Sequence, residues 1–320
     1  MQDAPNKFDM PLSGLETREE WIEKVAEITG EDGYVEPLGA RHTAIFVEDK
    51  PTLLVSFETH AGLAALSEDA QPVGWEMTKA LGWSSLCIVA DGDTWFRDPA
   101  VYAYFDRLVD DGFFEEFDQV IFYGAGSCGY AATAFSVASP GARVVALAPQ
   151  ASLDPRVAEW DPRFTKMRRT AFDDRYGYAP DMLDAAERAF VIYDPEIEVD
   201  AMHAALFTRP NVTKFRMRFM GERLMRMQIL LRILAQVSTG KLTRQTLAKL
   251  YRARRSDPGY QFNLLRKTTT DARHYLTILL ARKVLEQRRG PRFKRAMDAA
   301  AKALVDDGKP LPPGFQPEGA

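Results

Sequence analysis

Four short apolar runs recur along the first 200 residues and constrain the fold more than any other feature. They lie at residues 85–90, 119–123, 143–148 and 189–193, and each is apolar on both faces. A strand with two apolar faces is covered by helices on both sides, which is typical of a parallel sheet. Segments with helical periodicity separate the runs, so right-handed crossovers are expected. The pattern predicts an α/β fold built on a doubly wound, mostly parallel sheet.

Two further runs precede these strands and one follows them. Residues 42–47 and 52–57 are predicted as strands, joined only by residues 48–51. So short a connection predicts a hairpin, or two closely paired strands at the start of the sheet. The last strand is predicted at residues 212–217, and strand signals cease beyond Gly240.

Charge is distributed unevenly along the chain. The whole sequence carries a net charge of −4, whereas residues 241–302 hold 17 lysines and arginines against four acidic residues. An acidic body therefore bears a basic arm, and such asymmetry indicates two units with different roles. We predict a flexible leader, an α/β domain, a basic helical C-terminal extension and a disordered tail, at residues 1–14, 15–240, 241–305 and 306–320.

Several classes of protein are disfavoured by features that the sequence lacks. No run of 18 or more apolar residues predicts a membrane span, and the first residues show no secretion signal. The two cysteines, Cys87 and Cys128, lack the spacing of metal ligands, and neither a P-loop nor a calcium-loop motif occurs. We therefore expect a reduced, cytoplasmic protein with no metal and no other cofactor.

A dense group of small residues follows the second of the apolar runs. Residues 120–135 read VIFYGAGSCGYAATAF. A strand, a sharp turn carrying the nucleophile and a helix form a nucleophile elbow, whose pattern is G-x-S-x-G. One register starts the pattern at Gly124 and puts Gly126 at the nucleophile position. The other register makes Ser127 the nucleophile and Gly129 the trailing glycine.

Around this turn the chain resembles the α/β-hydrolase superfamily. Some bacterial members continue as Y-G-x-S-M-G-G-Y-x-A and then reach a strand that ends in S-P-Q. Here Tyr123-Gly124, Gly129-Tyr130-Ala131-Ala132 and Ala148-Pro149-Gln150 are similar without a gap. The resemblance covers about residues 30–225 and favours the first register, so by that likeness the nucleophile has become Gly126. It implies the fold of the superfamily and, where a triad is intact, ester or acyl hydrolysis.

The resemblance also implies positions for the other two members of a triad, in the order nucleophile, acid, histidine. The acid falls on Asp194 after a late strand, with Asp200 as a second choice. Relatives tend to have histidine in the turn after the last strand, where this chain has Glu222. A carboxylate does not relay protons near neutral pH as imidazole does. We expect Asp194 and Glu222 to lie close together at the carboxyl edge of the sheet.

Histidines elsewhere leave an alternative open. His203 follows Asp194 by nine residues on a predicted helix, and we interpret it as a surface or capping histidine. A triad of Ser127, Asp194 and His203 remains the alternative. His60 follows the strand at 52–57, in the loop that would supply an oxyanion-hole N–H, and it would shape the pocket. The predicted pocket consists of His60, Gly124, Gly126, Cys128, Gly129 and Glu222.

The basic arm offers a second candidate surface. Its arginines are interspersed with aromatic residues, and this combination can bind phosphates and stack on bases. The arginines singled out for polyanion binding are Arg252, Arg254, Arg255, Arg288, Arg289 and Arg292. Attraction to the acidic body or to another anionic partner would also explain them.

Three functions are compatible with these patterns. The first, which the gap-free register favours, is a non-catalytic or catalytically altered protein of hydrolase fold that binds an acyl, glycan or protein partner. The second is a serine ester or acyl hydrolase that uses Ser127. The third is an adaptor for nucleic acid or another polyanion that acts through the basic arm. In the first two cases a small molecule or protein would bind at the carboxyl edge of the sheet.

Overall fold

The computed structural model describes residues 6–15, 17–219 and 227–315. They are divided between two compact units. The first unit comprises Met1–Met217 and Leu224–Leu250, and the second comprises Arg218–Arg223 and Tyr251–Ala320, in each case as far as the residues are described.

The first unit is built on a sheet that has eight strands over the described residues. These are β1 Gly33–Leu38, β2 His42–Val47, β3 Lys50–Thr59, β4 Trp83–Ala90, β5 Gln119–Ala125, β6 Arg143–Leu147, β7 Arg188–Tyr193 and β8 Val212–Arg216. Their order in the sheet is β1-β2-β4-β3-β5-β6-β7-β8. β2 is antiparallel to both of its neighbours, whereas all pairs from β4 to β8 are parallel.

This strand order, with the second strand reversed, is that of the α/β-hydrolase fold. The predicted α/β architecture with a mostly parallel sheet is confirmed, and the resemblance found in the sequence is confirmed at the level of the fold. Strands β3 to β8 are parallel, so their carboxyl ends all lie at the same edge of the sheet. Ligands of open α/β sheets bind at this carboxyl edge.

The predicted pairing of the two early strands is wrong. β2 and β3 are consecutive in sequence, but β4 lies between them in the sheet and pairs with both. The hairpin joins β1 to β2 instead, with Leu38 opposite His42. The sequence does not predict β1, because an edge strand needs no second apolar face and tolerates a proline, here Pro37.

Helices cover both faces of the sheet. Over the described residues of the first unit they are α1 Arg18–Thr29, α2 His60–Leu66, α3 Val73–Leu81, α4 Pro99–Asp110, α5 Ser127–Ala134, α6 Pro155–Ala158, α7 Ala179–Met182, α8 Glu198–Leu206, α9 Met227–Ser238 and α10 Arg244–Leu250. α1, α2 and α3 bury Trp21, Leu63 and Trp75 against one face. α4 and α5 bury Phe105 and Tyr130 against the other.

The leader packs onto the first unit where the sequence predicts flexibility. Phe8 and Leu12 are buried in the cluster on the α1 side of the sheet. Gln71 Nε2 donates to the carbonyl oxygens of Phe8 and Met10 at 2.7 and 2.6 Å. Two apolar anchors in a polar segment, with a buried amide, are enough to hold residues 6–14.

The second unit is helical, with α11 Pro258–Thr270, α12 His274–Leu285 and α13 Pro291–Asp306. Leu311 and Phe315 pack against the buried cluster of α12 and α13, so the predicted tail is anchored as far as residue 315. The predicted boundary after Gly240 lies before α10, whereas α10 belongs to the first unit. None of the helices over the described residues has the length and apolarity that crossing a lipid bilayer requires.

Candidate functional site

The turn after β5 is the centre of the candidate site. β5 ends at Ala125, Gly126 forms the turn, and α5 begins at Ser127. Gly126 has φ 60° and ψ −122°, the conformation of the first central residue of a type II′ turn, which glycine adopts most easily. Its N–H donates to the carbonyl oxygen of Leu147 at 2.8 Å. The apex of the turn is therefore Gly126 and not Ser127.

Two glycines of this turn are required for different physical reasons. A Cβ on Gly124 would lie 2.1 Å from the carbonyl oxygen of Cys128, so only glycine lets α5 approach the strand this closely. A Cβ on Gly126 would meet no atom of the described residues within 4 Å. Only the backbone conformation disfavours a side chain there, and space for one is present. Gly129 is buried in the first turn of α5.

Ser127 and Cys128 occupy the first two positions of α5. Ser127 is half-buried, and Cys128 is buried as a free thiol. Burial raises the pKa of the Cys128 thiol, and the charge of the nearby Glu58 carboxylate raises it further. A helix N-terminus by itself favours the thiolate, but burial outweighs that effect here. Cys128 is therefore a packed side chain rather than a reactive one.

His203 lies inside the fold, so its interpretation as a surface or capping residue is wrong. The side chain is fully buried on α8. Its Nδ1 accepts from the backbone N–H of Ala151 at 3.2 Å, and its Nε2 contacts Asp161 Oδ2 at 3.1 Å. Because Nδ1 is an acceptor, Nε2 carries the proton and donates to Asp161. Burial lowers the pKa of His203 to about 4, so the ring is neutral at pH 7 with both nitrogens engaged.

Asp161 belongs to a turn formed by a short tripeptide that recurs in the chain. The tripeptide Asp-Pro-Arg occurs twice after β6, at residues 154–156 and 161–163. In each copy the aspartate accepts from the backbone N–H of the arginine two residues later, at 2.9 Å. It also accepts from that arginine's Nε, at 3.0 Å in the first copy and 3.1 Å in the second. Aspartate favours this local turn, and the repeated tripeptide is the signal that predicts it.

Arg163 links the second of these turns to α8. Its Nη2 donates to Asp161 Oδ2 at 2.8 Å, and its Nη1 donates to Asp200 Oδ1 at 2.7 Å. Burial by itself would raise the pKa of Asp161, but the hydrogen bonds from Arg163 and His203 outweigh it and lower the pKa. Burial does raise the pKa of Asp200 in spite of Arg163. Together these side chains hold the loop after β6 against α8.

Asp194 lies directly after β7, at the position that the resemblance gives to the triad acid. The residue is buried, and its Oδ1 accepts from the backbone N–H of Glu196 at 3.0 Å. The charge of Asp194 contributes to the raised pKa of Asp200, so two of the candidate acids lie near one another. Glu222 lies outside the described residues, and its approach to Asp194 stays a prediction.

His60 is the first residue of α2, directly after β3. Its ring packs edge-on against Trp21, with ring centroids 4.6 Å apart. Burial lowers the pKa of His60. Thr59 Oγ1 accepts from the backbone N–H of Gly62 at 3.0 Å and caps the helix, so His60 lies in a helical first turn rather than in an open loop.

Two polar contacts of buried side chains join parts of the chain that are distant in sequence. Trp95 Nε1 donates to Gln150 Oε1 at 3.2 Å, which links the loops after β4 and β6. The Arg97 side chain, only 1% exposed, pairs with Asp174 and donates to the carbonyl oxygen of Arg175 at 2.6 Å. No local pattern marks either contact, because the partners are 55 to 78 positions apart in the chain.

Among the described residues no hydrogen bond joins Ser127 to a histidine. A hydroxyl, an imidazole and a carboxylate do meet elsewhere in the first unit, where His42 Nε2 lies 2.8 Å from Thr94 Oγ1 and His42 Nδ1 lies 3.7 Å from Asp98 Oδ2. Over the part of the chain that the structure describes, no group of three or more His, Cys, Asp and Glu is placed to hold a metal ion. At the apex of the turn Ala125 is exposed and Gly126 is half-exposed.

The arginines of the basic arm fall into two groups in the second unit. The first group, at the turn before α11, is Arg252, Arg254 and Arg255. The second group, which lines one cavity, is Arg288, Arg289 and Arg292. In the first group the Arg254 guanidinium lies 5.4 Å from the ring centre of Tyr260.

No family model and no curated protein matches this sequence. Similar solved structures include Est1E from Butyrivibrio proteoclasticus, with 12% identity and a TM-score of 0.43 over 66% of this chain and 99% of that one. An esterase from Pyrobaculum calidifontis has 14% identity and a TM-score of 0.43 over 71% of this chain and 94% of that one. FphF of Staphylococcus aureus, a fluorophosphonate-binding serine hydrolase, has 10% identity and a TM-score of 0.42 over 64% and 96%. A shared fold does not transfer an activity, so the side chains of this chain must decide its function.

Proposed function

We propose that this chain is a non-catalytic protein of α/β-hydrolase fold that uses the carboxyl edge of its sheet to bind an acyl, glycan or protein partner. The observation that carries the proposal is the apex of the turn after β5, where Gly126 supplies no nucleophile. Serine hydrolysis needs a hydroxyl at that apex and a base within hydrogen-bond reach of it.

The positions of the histidines support the proposal. Residues 217–226, between β8 and α9, contain no histidine, and relatives tend to have the base in that segment. His203 is bonded to the backbone N–H of Ala151 and to Asp161. To act as the base for Ser127, His203 would have to give up the hydrogen bond that Nδ1 accepts from Ala151. The backbone N–H of Ala151 would then be buried without an acceptor, which is unfavourable.

The apex keeps features that suit binding. A Cβ on Gly126 would meet nothing among the described residues, so a ligand atom has room at this point. The first N–H groups of α5 have no acceptor within the helix, and they begin at Ser127. An acyl carbonyl or a sugar hydroxyl is an acceptor that such donors recognise.

Hydrolysis of p-nitrophenyl acetate by variants of the full chain tests the proposal. The wild type should not exceed the rate of a heat-denatured sample, and Ser127→Ala should leave that rate unchanged. If the wild type hydrolyses the ester and Ser127→Ala does not, the proposal is overturned and the chain is a serine hydrolase.

The register that places Gly126 at the nucleophile position is tested separately, by variants that should gain activity. Gly126→Ser restores a hydroxyl at the apex, and Glu222→His restores a base at the position that the resemblance assigns to it. The double variant should exceed both single variants by at least roughly tenfold, since general base catalysis contributes about 10²–10⁴-fold. A double variant no faster than Gly126→Ser would refute the assignment of Glu222 to the base position.

A further inference from the structure

A small cavity in the second unit gathers three of the arginines. Its volume is about 210 Å³, and its lining includes Phe262, Arg288, Arg289, Arg292 and Phe293. The arginines come from the chain after α12 and from the first turn of α13, and Phe262 comes from α11. Two segments of the unit, α11 and the continuous stretch 288–293, thus converge on one concave, cationic surface.

Within the described part of the chain, the positive charge of this cavity is not paired with a carboxylate. No ion pair joins any of its three arginines to a carboxylate among the described residues, and the nearest acid in sequence, Glu286, pairs with Lys283 at 2.9 Å. Over the described residues, the one side-chain hydrogen bond of these arginines runs from Arg288 Nη2 to Gln261 Oε1, at 2.8 Å. Gln261 is a neutral acceptor and is buried, so it positions Arg288 without cancelling its charge.

Aromatic rings hold two of these guanidinium groups in place. Arg288 lies 5.7 Å from the ring centre of Phe262 and 5.8 Å from that of Phe293. Arg292 lies 5.9 Å from the ring centre of Phe262, and the two rings pack with centroids 5.1 Å apart. A ring face attracts the plane of a guanidinium and leaves the N–H groups at its edge free to donate. Arginine held in this way is suited to bidentate binding of an oxyanion.

The start of α13 adds donors beside the arginines. The helix begins at Pro291, its N-cap Gly290 provides no side-chain acceptor, and its first intrahelical bond comes from Lys294. The N–H groups of Arg292 and Phe293 therefore have no acceptor within the helix. The dipole of a 16-residue helix also favours an anion at this end.

We propose that this cavity binds a phosphoryl group, held by the guanidinium groups of Arg288, Arg289 and Arg292 and by the N-terminus of α13. Its volume is below the roughly 300–1,000 Å³ of pockets that enclose a whole drug-sized ligand. The cavity therefore suits one phosphoryl group and the atoms next to it. The group belongs either to a small phosphorylated molecule or to the backbone of a single-stranded nucleic acid, which share this chemistry.

Titration of inorganic phosphate into the full chain, followed by ³¹P NMR line width at constant ionic strength, tests the proposal. Binding should be saturable, and the double variant Arg288→Gln, Arg292→Gln should weaken it by roughly tenfold or more, because charge-assisted hydrogen bonds are lost. Arg266→Gln is the matched control, since Arg266 is exposed on α11 and is not among the residues that line the cavity. It should change the dissociation constant by less than about twofold. Circular dichroism melts should show that both variants remain folded.

A single-stranded oligonucleotide without a terminal phosphate distinguishes a nucleic-acid backbone from a small phosphorylated molecule as the source of the phosphoryl group. If it displaces phosphate from the wild type, and the double variant loses its binding while Arg266→Gln keeps it, the cavity takes a nucleic-acid backbone. If phosphate binds and the oligonucleotide does not displace it, the ligand is a small phosphorylated molecule. The proposal is overturned if phosphate does not saturate, or if Arg266→Gln weakens binding as much as the double variant does.

Discussion

At the scale of single residues, Gly124 and Gly126 occupy the same turn for different physical reasons. Gly124 is required by contact, since a Cβ there would collide with the backbone of α5. Gly126 is favoured only by its positive φ, since a Cβ there would meet no described atom within 4 Å. The turn after β5 therefore has a sharp apex with positive φ, and the residue at that apex is a glycine.

Alanine substitutions should separate the two glycines. Gly126→Ala should lower the free energy of unfolding by about 1–2 kcal/mol, the cost of a left-handed conformation for a residue with a Cβ. Gly124→Ala should lower it by roughly 3 kcal/mol or more, because strand and helix must move apart. Urea unfolding of both variants measures the difference. Equal losses would show that the close approach at Gly124 is not as described.

His203 makes stability depend on pH in a defined window. Its pKa is about 4 in the folded chain, against about 6.5 when unfolded, so the unfolded chain binds more protons between these values. The stabilisation is fully present above pH 6.5 and is lost as the pH falls towards 4. Over this window the wild type should lose up to about 1.4 kcal/mol per pH unit more than His203→Asn. Parallel slopes for the two proteins in urea unfolding would contradict a buried, neutral His203.

At the scale of elements, the sequence predicts the central strands well and the edges poorly. β5 and β7 are apolar on both faces and lie where that pattern puts them, within one or two residues. The sequence does not predict β1, because an edge strand lacks two apolar faces. The predicted hairpin of β2 and β3 is wrong because β4 lies between them, and that placement depends on the whole sheet. The site shows the same division. The conformation of Gly126 follows from local sequence, whereas the engagement of His203 by Asp161 joins residues 42 positions apart.

Arg97 is predicted to fix the segment before α7 to the rest of the first unit. Its buried side chain donates to the carbonyl oxygens of Ala171 and Arg175. Arg97→Ala should lower the free energy of unfolding by about 3 kcal/mol and should speed hydrogen exchange in residues 170–178. Arg175→Gln is the control, because the Arg175–Asp106 pair is 45% exposed on both sides and should contribute no more than about 1 kcal/mol. Similar effects of the two substitutions would refute the role of Arg97.

At the scale of the whole molecule, the division into two units does not fall where charge and strand signals place it. The basic composition begins at Lys241, but α10 belongs with the sheet. Leu242 and Leu247 are each no more than 1% exposed within the first unit. Burial of apolar side chains, rather than charge, sets the boundary.

Truncation should reveal this boundary. A chain ending at residue 250 should unfold cooperatively in urea, whereas one ending at residue 240 should be less stable by about 3–6 kcal/mol, because two buried leucines are lost. The pair of truncations is its own control, since both lack α11–α13. Identical midpoints would place the boundary at Gly240, as the composition suggests.

The central claim is that the turn after β5 carries no catalytic serine. Its most direct test is incubation of the full chain with a fluorophosphonate probe, followed by intact-mass and peptide mass spectrometry beside an active serine hydrolase. We predict no adduct on Ser127 under conditions that label the active enzyme completely, because Gly126 occupies the apex. A stoichiometric adduct on Ser127 that disappears in Ser127→Ala would contradict the account and identify this chain as a serine hydrolase.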